Sequence, residues 1–132
     1  MLSRKRWDRP HDPLEVRALL VASRSEVAAP ERWCKVFNAV NEAGRDEDPR
    51  SVDARRFCAL GAVVRNDPSI VGRRVGPLGR AALEALDDAA IGLSANLAHP
   101  SHSCVDLNDN AQHKDVVRMF DIAIAMVTSL LR

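Results

Sequence analysis

The sequence predicts an all-α single compact domain of about four main helices, with room for one short β-hairpin. Three observations predict it. The 132 residues suit one domain. Apolar residues make up 46%, enough for a buried core rather than a disordered chain. Aromatic residues make up only 4% and Tyr is absent, so the core must be built from Leu, Val, Ile and Ala. Ala-rich and Leu-rich segments favour helix over sheet.

Residues 1–11 read as a flexible basic arm, with Arg4, Lys5, Arg6 and Arg9 around Trp7. Residues 12–132 read as the helical domain. Asp12 suits a helix N-cap, Pro13 the first helical position, and Glu15 completes a capping-box pattern. Leu14, Ala18, Leu19, Val21 and Ala22 then recur at helical spacing, and Pro30 ends the segment. Trp33, Val36, Phe37 and Val40 suit a turn or two of helix, or a short two-stranded element within 33–45. The run Gly44 to Pro49 is charged and turn-rich, which marks a solvated loop.

Ser51 or Asp53 is expected to cap a second helix over about 54–65, stopped by Asn66-Asp67-Pro68. A long Ala/Leu-rich helix follows over about 78–97, with Gly92 inside it at a cost of roughly 1 kcal/mol relative to Ala. Residues 98–110 read as a polar loop. The last helix starts near Gln112 and carries Val116, Phe120, Ala123, Val127 and Leu130 as one stripe. That width predicts deep burial or a shared face in a homo-oligomer.

Composition also bounds function. With 19 basic and 18 acidic side chains the net charge is +1, so nucleic acid is not the favoured partner. Arg55-Arg56 and Arg73, Arg74 and Arg80 are local basic groups only. No apolar run approaches the ~20 residues that span a bilayer, and no signal-peptide stretch follows the basic N-terminus. The chain therefore reads as cytoplasmic, with no membrane partner. Three widely spaced cysteines, Cys34, Cys58 and Cys104, read as reduced thiols.

Three places could carry chemistry. On a helix, Ala54, Cys58, Gly61 and Ala62 would share one face of small side chains, inviting close approach by another element such as the ring of Trp33. The competing reading makes Cys58 a nucleophilic thiolate, with Asn108 or Asp109 orienting a His as base. The loop with His99, His102 and Cys104 holds two imidazoles and a thiol, which are zinc-ligand types, with His113 or Asp106 as a fourth ligand. Asn108 and Asp109 read as shaping the turn into the last helix, or as lining a polar pocket beside Cys58.

Taken in order, Trp33, Phe57-Cys58-Ala59-Leu60-Gly61-Ala62, Leu107-Asn108-Asp109 and Asp115-Val116 form a pattern. In it the chain resembles an uncharacterised bacterial and phage family of small proteins, a domain of unknown function with aromatic-Cys-x-x-Gly-Ala and Asn-Asp motifs. It departs from that pattern at Phe57, in the place of Trp, and at Leu107, in the place of an aromatic residue. The resemblance covers about residues 12–130 and implies a shared small fold with Trp33, Cys58, Asn108 and Asp109 in special places. It implies no reaction. The expected function is a small non-catalytic interaction protein, binding another protein or a small ligand and needing no cofactor. A thiol-dependent enzyme using Cys58, or a metal- or polyanion-binding accessory protein, are the alternatives.

Overall fold

The computed structural model describes residues 12–131, so the basic arm with Trp7 lies outside the described residues. The chain runs through α1 (Pro13–Val27), a 3-10 turn (Pro30–Arg32), β1 (Ala39–Val40), β2 (Arg56–Phe57), α2 (Ala59–Asn66), α3 (Pro77–Ser94), α4 (Cys104–Asn110), α5 (His113–Thr128) and a closing 3-10 turn (Ser129–Leu131). Asp12 caps α1 as expected, its carboxylate accepting the Leu14 amide at 2.9 Å. Gln112 and Asp115 form a reciprocal capping box at the start of α5.

The helices pack around one core. Val16, Leu19, Leu20 and Val27 of α1 meet Val116, Phe120, Ala123 and Val127 of α5, and both meet the Ala/Leu face of α3. The α5 stripe from Val116 to Val127 is thus buried inside the chain, with Phe120 fully enclosed, while Leu130, expected on the same stripe, falls in the closing 3-10 turn and is exposed.

Three expectations need correction. The helix anticipated over 54–65 starts only at residue 59, because 56–57 are drawn into a sheet and Cys58, not Ser51 or Asp53, is the N-cap. Ala54 and Cys58 therefore do not share a helical face with Gly61. The loop anticipated over 98–110 contains α4, a fifth helix, which Ser103 caps by accepting the Asp106 amide. The small sheet does not lie within 33–45: β1 pairs antiparallel with β2, Ala39 opposite Phe57 and Val40 opposite Arg56.

Two polar clusters fix the connections around α2. The Arg50 guanidinium donates to the carbonyls of Val64, Arg65 and Asp67, satisfying the last carbonyls of the helix. Buried Asp67 accepts from Ser69 and from the Gly76 amide, which sets the turn leading into α3.

Candidate functional site

Phe57 is the centre of the site. It bridges Ala39 antiparallel on one side and Trp33 in parallel on the other. The intervening residues, 34–38, must then pass around the end of β2 and over Cys58. Hydrogen bonds mark both feet of this arch: the Cys34 amide donates to the Phe57 carbonyl at 3.1 Å, and the Cys58 amide donates to the Asn38 carbonyl at 3.1 Å.

The arch lies against the first turn of α2, which explains Gly61. A Cβ there would fall 1.8 Å from the Asn38 carbonyl oxygen. The expectation that Gly61 stays small for a close neighbour is met, but the neighbour is the Asn38 backbone and not the Trp33 ring.

Asn108, on α4, ties the arch to the helix. Its Oδ1 accepts the Trp33 indole N–H at 2.8 Å and the Ala59 amide at 3.0 Å. Its Nδ2 donates to the Cys34 carbonyl at 3.1 Å and to Asp109 Oδ1 at 3.2 Å. Asp109 Oδ1 in turn accepts the Val36 amide at 2.9 Å. Asn108 is fully buried with both ends of its amide occupied, the condition under which burying a polar side chain is tolerated. Among the described residues neither orients an imidazole through a hydrogen bond, and both belong to a helix rather than to a turn before α5.

Trp33 is held on its other sides too. The His113 ring lies 5.4 Å away, tilted by 55°, and the Lys35 ammonium sits 5.5 Å from the indole. His113 itself bonds the Val27 carbonyl at 2.7 Å.

Cys34, Cys58 and Cys104 are free thiols. Cys58 Sγ accepts the Gly61 amide at 3.3 Å and faces Asn38 Oδ1 at 3.9 Å. Burial pushes its pKa up, outweighing the helix amides that pull it down. Burial pushes the half-buried Cys34 up to about 12, with nearby Cys58 adding to the shift. Both trends oppose thiolate chemistry at neutral pH.

The structure brings Trp33, Cys58, Gly61, Asn108 and Asp109 into one cluster, and adds Cys34, Val36 and Asn38. The sequence offers Trp33 as a neighbour of the small-residue face and Asn108 and Asp109 as lining a pocket beside Cys58, but not the part played by the 34–38 backbone. His99 and His102 stand apart from it, whereas Cys104 lies one helical turn before Asn108 on α4, near enough for Cys58 to raise its thiol. Cys104 is buried and its amide donates to Asp87, while exposed His99 leans on Asp106 at 3.4 Å. Among the described residues no group of three or more His, Cys, Asp or Glu side chains is placed to hold a metal ion.

A family model matches residues 11–126, which takes in every residue of the cluster. The chain belongs to DUF6197, a family of unknown function. Neither the curated proteins nor the solved structures yield a match. In this DUF6197 chain no described helix is long and apolar enough to cross a membrane. The cluster around Asn108 joins α2, α4 and the segment 33–36 of this DUF6197 chain through buried polar contacts, and its outer surface is the arch.

Proposed function

We propose that the chain is a small non-catalytic interaction module whose arch, residues 34–38, is the contact surface for another protein. One observation carries this reading. Val36 has a φ of +74°, a left-handed conformation costly for a β-branched residue, and its side chain is 75% exposed. The fold holds that strained residue through the Asp109 bond to its amide, yet gains no burial from it. Phe37 beside it is also exposed. A strained loop pinned by hydrogen bonds at Cys34, Val36 and Asn38 and presenting two apolar side chains suits recognition, because its bound shape is already formed.

The thiol-enzyme alternative has less support. Catalysis needs a thiolate and a base in reach, whereas the Cys58 thiol is raised by burial and bonds to an amide and a side-chain carbonyl.

The test is a photo-crosslinking residue placed at Phe37 in cells producing the chain. Discrete cross-linked species are expected from Phe37 and none from Ile91, an exposed residue on α3. Val36→Asp should remove them while the melting temperature stays put. Equal cross-linking from both positions, or none from Phe37, overturns the reading.

A further inference from the structure

We infer that Cys34 and Cys58 are joined into an intrachain disulfide when the chain meets a peroxide, fastening one leg of the arch to the start of α2. The two residues stand one position beyond the Trp33–Phe57 bridge, on neighbouring segments running the same way. The Cys34 amide bond to the Phe57 carbonyl holds the backbones together at that level. Neighbouring strands lie about 4.8 Å apart, within the Cα separation of about 4.4–6.8 Å that a disulfide spans. The Cys34 and Cys58 thiols are close enough for their charges to interact; so are those of Cys58 and Cys104, but Cys104 is enclosed and has no backbone bridge to Cys58 among the described residues.

Access and competition favour the pair as well. Cys34 is half-buried, so a small oxidant reaches it before the buried Cys58. Each thiol donates only a long bond, Cys34 to the Phe37 carbonyl at 3.5 Å and Cys58 to Asn38 Oδ1 at 3.9 Å. These are easily exchanged for a covalent bond.

The chemistry balances with hydrogen peroxide as oxidant. The Cys34 thiolate attacks one peroxide oxygen; an S–O bond forms, the O–O bond breaks, and hydroxide leaves to take up the displaced proton as water. Cys58 sulfur then attacks the Cys34 sulfenic acid; the S–S bond forms, the S–O bond breaks, and the departing hydroxide carries off the Cys58 proton as a second water. Two thiols are oxidised by two electrons and one peroxide is reduced.

The bond stands on the backbone geometry alone. Its consequence for function rests on the proposed contact surface: drawing Cys58 Sγ off the Gly61 amide reseats the leg that carries Val36 and Phe37, so the bond regulates that contact.

The experiment treats the full chain with hydrogen peroxide at about pH 9, where the thiolate of Cys34 is still a minor species but a larger share than at neutral pH, so that the reaction is slow and is followed to completion; the chain is then alkylated in denaturant. Titratable thiols should fall from three to one, with loss of the mass of two hydrogens. An unreduced tryptic digest should contain Trp33–Lys35 joined to Phe57–Arg65. Cys34→Ser should keep both its thiols. Three intact thiols, a bond to Cys104, a dimer linked through Cys34, or a sulfinic acid in place of the bond overturns the inference. Cross-linking from Phe37 is then compared in the reduced and oxidised chains. A disulfide that forms while neither chain cross-links leaves the bond standing and removes the contact reading.

Discussion

The side-chain oxygen of Asn108 accepts the Trp33 indole N–H at 2.8 Å and, from the same atom, the Ala59 amide at 3.0 Å. One buried oxygen thereby holds the foot of the arch and the first turn of α2 in a single arrangement. Asn108→Ala should cost about 2–5 kcal/mol in urea unfolding, since it strands two donors that have no other partner among the described residues. Asn108→Asp should not rescue stability, because it keeps the acceptor but puts a carboxylate beside Asp109. An Ala variant as stable as the parent would show the network to be incidental.

Gly61 and Gly92 both lie inside helices, and intrinsic propensity favours Ala at each by about 1 kcal/mol. A Cβ at Gly61 meets the Asn38 carbonyl at 1.8 Å, whereas one at Gly92 meets nothing within 4 Å. Gly61→Ala should therefore lose more than about 3 kcal/mol or fail to fold. Gly92→Ala should gain up to about 1 kcal/mol. Melting curves for the two variants moving in the same direction would contradict the close contact.

Val36→Gly tests the strained arch from the other side. Glycine adopts a φ near +74° without steric cost, and the lost side chain is mostly exposed. Stability should rise by about 1 kcal/mol by thermal or urea unfolding, while cross-linking from Phe37 weakens. A loss of stability would mean that the Val36 side chain is used within the fold.

Alkali should destabilise the chain. The Cys34 thiol is raised from an ordinary value of 9.0 to about 12, chiefly by burial and then by Cys58, with Arg56 opposing and Asp109 adding. Between those limits the unfolded thiol has ionised and the native one has not, so unfolding releases a proton. The stabilisation is therefore complete below about pH 9 and is lost as pH rises towards 12. Urea midpoints measured upward from about pH 8 should fall, and fall less steeply in Cys34→Ser. A midpoint that climbs over this window would reverse the assigned sign.

Phe120 is fully buried between α5 and the rest of the core. Phe120→Ala should cost about 3–5 kcal/mol, read as a lowered urea midpoint. A parental midpoint would place the ring outside the core.

Helices announced by capping residues and periodic apolar faces were legible in the sequence: Asp12-Pro13 marks α1, and the Ala/Leu run marks α3. α4 was hidden because its Ser, His and Asn neighbours look like loop. Its capping signal, Ser103 followed three residues on by Asp106, was there to be read. The late start of α2 was harder to see. Cysteine is a poor cap on propensity grounds, and Arg56-Phe57 joins a sheet only because Trp33 and Ala39 arrive from a distant segment. Trp33, Cys58, Gly61, Asn108 and Asp109 could be singled out one by one. That they meet depends on an Asn reaching across 75 positions, which no local pattern encodes.

The shared acceptor on Asn108 also sets how the molecule can breathe. If the Trp33 foot lifts while α4 stays in place, the Cys34 carbonyl leaves Nδ2 and the indole leaves Oδ1, but the Ala59 amide keeps its partner. If α4 moves away, all of these contacts break together, along with the Asp109 hold on the Val36 amide. The amide protons of Val36 and Ala59 therefore report different openings: the first exchanges with solvent when either element moves, the second only when α4 departs. A slow Ala59 amide beside a faster Val36 amide would mark the arch as a separately opening unit above an anchored helix.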